Sequence, residues 1–166
     1  AWLNGENLVT GSEALSHARI DPRQIQHRFW SELSAEPMQV AGFTHLSTAD
    51  LVSRQLEQLW QSAGADVSEL YVAVPASLTP ASLGLFLGIA SELKLPIVAM
   101  VEAAVAATRR EYRNAALVHI DMGLHALTLT RLTQQDRVQS ERSEVLQDCG
   151  VQALYDGWRN TVAEAF

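Results

Sequence analysis

At 166 residues the chain is long enough to bury one sizeable core, which predicts a single domain or a large piece of one. Apolar residues make up 48% of it with mean hydropathy near zero, at +0.01, which excludes a disordered chain. A net charge of −7 with a pI near 5.1 leaves no basic stripe for nucleic acid. The single cysteine, Cys149, excludes an internal disulfide framework and a cysteine metal site, and it fits a reducing compartment. No apolar run approaches the roughly 18 residues of a membrane span, and no charged-then-apolar leader opens the chain. The first residues, Ala1-Trp2-Leu3, read as the middle of a longer protein.

In chain order, Trp2 to Gly11 reads as a strand or hairpin remnant, and Ser12 caps a helix beginning Ser12-Glu13-Ala14-Leu15. Ile20-Asp21-Pro22 interrupts it. Asp21 caps a second helix with Pro22 in its first turn, running through Phe29, Trp30 and Leu33. A connector with a short strand at Met38–Val40 follows. Thr48-Ala49-Asp50 opens an amphipathic helix carrying Leu51, Val52, Leu56, Leu59 and Trp60, stopped by Gly64-Ala65-Asp66.

The stretch Leu70 to Leu132 is the informative part. It predicts strand Leu70–Pro75, helix Pro80–Leu93, strand Pro96–Val101, helix Glu102–Tyr112, strand Ala115–Met122, a hairpin, and strand Ala126–Leu132. Continuous apolar runs at Tyr71–Val74, Val98–Val101 and Leu117–Ile120 predict strands buried on both faces. Thr79-Pro80 is an N-cap followed by proline at the first helical position, with Leu83, Phe86, Leu87 and Ala90 as the buried stripe. After Asp121-Met122-Gly123 the pattern alternates, Leu127, Leu129 and Arg131 against Thr128, Thr130 and Leu132. Asp136 marks a turn, and Val138–Val145 is an edge return strand. A final helix carries Leu154, Trp158, Val162 and Phe166 at steps of four.

Two carboxylates stand at strand ends, Glu102 and Asp121, the latter in an Asp-x-Gly turn with Gly123. A carboxylate and a tight glycine turn at neighbouring strand ends are the raw material of a phosphate and metal site. Each residue also has a plainer use. Asp121 can cap a hairpin turn, and Glu102 suits the positive end of a helix. His125 sits in the turn and can face an anion or solvent. His119 lies within an apolar strand, while His17, His27 and His45 show no paired ligand spacing. Arg109, Arg110 and Arg113 suit the C-terminal turn of a helix, Arg54 can pair with Glu57 at i+3, and Cys149 reads as a small core residue.

The order of motifs resembles the nucleotide-binding domain of the seventy-kilodalton heat-shock chaperones, within the actin-like ATPase superfamily. Val9-Thr10-Gly11-Ser12-Glu13-Ala14 with Ile20-Asp21-Pro22, Leu70 through Ala76 with its proline-started helix, Val101-Glu102-Ala103 through Ala107, Ile120-Asp121-Met122-Gly123, and Cys149-Gly150 through Phe166 carry the resemblance. It implies an α/β fold, an actin-like (ribonuclease H-like) lobe with a mixed sheet flanked by helices, and a cytoplasmic protein binding ATP and Mg²⁺ with a protein client. It implies that Asp121 organises metal and attacking water together with Gly123 of the phosphate turn, and that Pro75 and Glu102 couple nucleotide state to movement.

The sequence departs from that family at three places. Leu124 and His125 fill glycine positions of the second phosphate turn, and Ala126 replaces its threonine. No lysine lies in residues 22–33, where Trp30 falls near the family's catalytic lysine. Lys94 is the only lysine of the chain. The first phosphate hairpin is expected before residue 1 and the adenosine-binding half beyond Phe166. These departures argue against hydrolysis by this chain alone. They leave a second class open, a non-catalytic actin-like scaffold for a protein partner, as bacterial secretion and pilus platforms use that fold.

Overall fold

A computed structural model describes residues 1–5, 7–41, 43–63, 66–112 and 115–165. It is a mixed α/β chain that divides into two compact units, residues 1–70 with 78–98, and residues 71–77 with 99–166.

The first unit opens with a small antiparallel ladder, β1 (Trp2–Asn4) against β2 (Asn7–Val9), in which Leu3 is almost wholly buried. α1 (Gly11–His17) starts one residue earlier than its predicted cap Ser12, with Thr10 at the N-cap position. Thr10 spends its hydroxyl elsewhere, on Gln58 Oε1. The helix predicted to follow Pro22 through Leu33 is instead a single 3-10 turn, Pro22–Gln24, whose Asp21 makes no side-chain capping bond. Ile25 pairs with Trp2 instead, and Phe29 and Leu33 reach the core from irregular backbone. At Met38–Val40 there is no strand, only an isolated bridge from Pro37 to Ser47.

α2 (Thr48–Ala63) begins as predicted. Ser47 donates its N–H to Asp50 Oδ2 at 2.7 Å while Asp50 N–H returns to Ser47 Oγ at 3.2 Å, a reciprocal box that satisfies two orphan donors. Leu51 and Val52 are fully buried. The predicted stop at Gly64 and Ala65 lies outside the described residues. α3 (Pro80–Glu92) packs on α2, and Thr79 Oγ1 caps it by accepting from Ser82 N–H at 3.1 Å. Phe86 and Ala90 of its predicted stripe are buried, Leu83 is half-buried and Leu87 is exposed. Trp30 ties the irregular segment down. Its ring lies 6.2 Å from that of Phe86, and its Nε1 donates to Gln55 Oε1 at 2.6 Å.

Two strands, β3 (Leu70–Val74) and β4 (Ile97–Glu102), form a two-stranded sheet. β5 (Leu117–Met122), β6 (Ala126–Gln134) and β7 (Val138–Gln147) form a three-stranded antiparallel meander in that order. β7 is an edge strand as expected, and its Glu141, Arg142 and Glu144 give that edge charged side chains that discourage pairing with another chain. Helix α4 is only Ala103–Ala107, not the eleven residues predicted from Glu102 to Tyr112. Thr108 ends it in extended backbone and turns its hydroxyl back onto the Ala104 carbonyl at 2.9 Å. The last helix, α5 (Val151–Ala165), follows β7 through a strap, Asp148 to Gly150.

The expectation of strands buried on both faces does not hold. Burial alternates along β3, and Val118, Ile120 and Met122 of β5 are all exposed, Ile120 at 63%. The Thr128, Thr130 and Leu132 side of β6 is the buried one, packed beneath α4. Apolar runs alone do not distinguish a strand covered twice from one covered once; the number of packing layers decides. The same correction applies to α5, whose Leu154, Trp158 and Val162 are exposed, and to Cys149, which is exposed and not a core residue. Phe166 lies outside the described residues.

Candidate functional site

The meander brings one set of polar side chains to one face. In an antiparallel pair, residues directly opposite point to the same side, and so do residues two apart on a strand. Asp121 pairs with Thr128, Thr128 stands two from Thr130, and Thr130 pairs with Ser143. All four therefore share the side on which α4 packs.

The register between β6 and β7 shifts between Arg131 and Leu132: Arg131 opposes Arg142 but Leu132 opposes Ser140, leaving Glu141 as the extra residue of β7. Three residues apart on a regular strand, Ser140 and Ser143 would face opposite ways; the bulge turns both to the same side. Both then donate to Glu102, Ser143 Oγ to Oε1 at 3.0 Å and Ser140 Oγ to Oε2. Ser143 Oγ also lies 2.9 Å from Thr130 Oγ1. Glu102 is the last residue of β4 and the N-cap of α4, yet its carboxylate caps nothing on its own helix. Both of its oxygens are held by β7 instead.

Asp121 is differently placed. It is exposed near the end of β5, and its carboxylate makes no hydrogen bond or ion pair with the described residues. The turn after it is tight, with Gly123 N–H donating to the Ala126 carbonyl at 2.9 Å. On its other side the turn meets the first turn of α5. Val151 N–H donates to the Gly123 carbonyl at 3.0 Å and Gln152 N–H to the Leu124 carbonyl at 2.9 Å. These are helix-terminal donors that have no partner within their own helix. Pro75 follows β3 and is exposed, and β3 belongs to a different sheet from Asp121.

The fit of these residues to ATP and Mg²⁺ is uneven. Asp121 suits Mg²⁺, which keeps most of its waters and takes one or two protein carboxylates. The turn does not suit a triphosphate. Its Gly123 N–H is committed to Ala126, its Gly123 and Leu124 carbonyls face α5, and the side chains of Leu124 and His125 stand where a cradle needs bare backbone. Among the described residues no three His, Cys, Asp or Glu side chains come together to hold a metal.

Of the remaining sequence candidates, His17 stacks on Trp2 with ring centroids 3.8 Å apart, and Arg54 pairs with Glu57 at 2.8 Å on the surface of α2. Arg113 lies outside the described residues. Ser140, Ser143 and Thr130 are not among the residues that sequence reasoning singles out. The threonine alternation on β6 is readable, but only the bulge reveals that two serines three apart converge on Glu102. Among the described residues no helix is long and apolar enough to cross a membrane. A scan against protein-family models and a search of curated proteins each found no match.

Proposed function

We propose that this chain is part of a divergent heat-shock-chaperone-like protein of the actin-like ATPase superfamily, retaining a carboxylate at the nucleotide position without the apparatus for hydrolysis. The observation that carries this reading is Asp121. Its carboxylate is exposed and uncommitted among the described residues, beside a glycine turn, on the same face as Glu102. A structural aspartate at a hairpin usually spends its carboxylate on nearby backbone N–H groups, and this one does not. By resemblance the reading carries ATP and Mg²⁺, in a cytoplasmic protein; of the two, the described residues fit only Mg²⁺, at Asp121.

The test is isothermal titration of ATP–Mg²⁺ into the longest natural form of the protein and into its Asp121→Ala variant. Heat that the variant loses supports the reading. No heat from a folded wild-type protein at millimolar ATP removes it.

A second reading, a non-catalytic actin-like scaffold for a protein partner, is favoured by a separate observation. The turn's carbonyls are closed onto α5, while Val118, Ile120 and Met122 lie open on the far side of the sheet. Contiguous exposed apolar area of this kind is a usual mark of protein contact.

A further inference from the structure

We propose that Gly150 is a positioning residue that locks the Gly123–His125 turn to α5, so that the hairpin after Asp121 and the last helix move as one body. The inference needs no nucleotide and stands independently of the functional reading above. Its basis is a three-way close approach. A Cβ on Gly150 would lie 2.5 Å from the Leu124 carbonyl oxygen, 2.6 Å from the Gly123 carbonyl oxygen and 2.6 Å from the His125 nitrogen. All three are backbone atoms, which have no flexible end to swing away. Only glycine admits the turn this closely.

The approach is productive because it delivers hydrogen bonds. With Gly150 buried against the turn, the next two residues reach it with their N–H groups, Val151 to Gly123 and Gln152 to Leu124. Gly150 itself accepts from Ala153 N–H at 3.1 Å. In the strap entering this contact, Asp148 adopts a left-handed backbone with φ of 55°. Together with the bond from Gly123 to Ala126, these backbone bonds knit the hairpin turn to the first turn of α5. Among the described glycines of α3 and α5, Gly84, Gly88 and Gly157 meet open space, so Gly150 is distinguished from them by contact and not by composition.

The consequence is mechanical coupling. The helix donors that an anion would otherwise seek are satisfied by the turn, and any displacement of α5 must break them. A force on the exposed α5 side chains therefore reaches the residues beside Asp121 through two hydrogen bonds and a packing contact.

Amide hydrogen exchange by NMR on the full 166-residue chain tests this. In wild type, the Val151, Gln152 and Gly123 amides are expected to exchange at least about tenfold more slowly than unbonded helix-terminal amides. Gly150→Ala should raise all three rates about tenfold or more, while Gly157→Ala, whose Cβ meets nothing, leaves them unchanged. Val151→Pro keeps a residue suited to the first helical position but deletes one donor. It should speed exchange at Gln152 and Gly123 with the far-UV circular dichroism preserved. Wild-type protection in folded Gly150→Ala overturns the proposal. If Gly150→Ala does not fold, Val151→Pro decides: unchanged protection at Gln152 and Gly123 overturns the lock, and lost protection supports it.

Discussion

Ser143 holds Glu102 across the meander: its hydroxyl donates to the Glu102 carboxylate at 3.0 Å, joining the end of β4 to the middle of β7. Hydrogen bonds to a charged acceptor are the stronger kind, yet this one is near the surface, so its contribution is about 1 kcal/mol. Ser143→Ala is expected to lower stability by about that amount in urea unfolding. Glu102→Gln keeps an acceptor for one serine and should lose less than Glu102→Ala. Equal losses for Gln and Ala would mean that the carboxylate charge, not its geometry, matters.

Leu51 is fully buried in α2, whereas Leu59, on the same helix and also apolar, is 57% exposed. Leu51→Ala should cost about 2–5 kcal/mol, since the surrounding core closes only partly over the space left behind. Leu59→Ala should stay within about 0.5 kcal/mol. Comparable losses at the two positions would contradict the face that α2 buries.

His27 is pushed below the usual imidazole range, first by partial burial, then by the Arg28 guanidinium and the terminal ammonium, with Glu32 opposing. The unfolded chain therefore takes up this proton at a higher pH than the folded one. Folding is penalised where the unfolded imidazole is charged, so this contribution to stability falls as pH drops below about 6.5 and is restored above it. Relative to wild type, His27→Gln should gain stability between about pH 8 and about pH 5.5, by thermal melting at both values. The gain is small because the side chain is largely at the surface. A loss at the lower pH would reverse the assigned sign.

Ile120 stands 63% exposed between Val118 and Met122, opposite Leu129 of β6. Ile120→Lys should change stability by no more than about 0.5 kcal/mol, because no core is opened. It should also lower the binding of a hydrophobic dye and reduce light scattering. Unfolding by this substitution would show that the face is packed in solution.

The elements are largely legible because their start signals are local. Thr79-Pro80, the Thr48 to Asp50 stretch and the alternation after Gly123 each encode one structure in a few residues. Pro22 misleads for the opposite reason. Asp21-Pro22 is a good helix opening, but Ile25 pairs with Trp2, and Phe29 and Leu33 enter the core without a helix. The helix after Glu102 is shorter than its residues suggest. An alanine-rich run has high intrinsic propensity, which says nothing of the Thr108 hydroxyl that ends it. At the site, the two carboxylates are readable as residues at strand ends. Their different fates are not. That Glu102 is held depends on a register shift in β7, a pairing event with no signature in the residues themselves.

Cys149 sits exposed beside the buried Gly150. Because it is the only thiol in the chain, oxidation can join two copies and no more. That covalent pair would meet at the strap leading into α5, and a maleimide dye placed there would give one label per molecule, next to the contact between Gly150 and the Gly123–His125 turn.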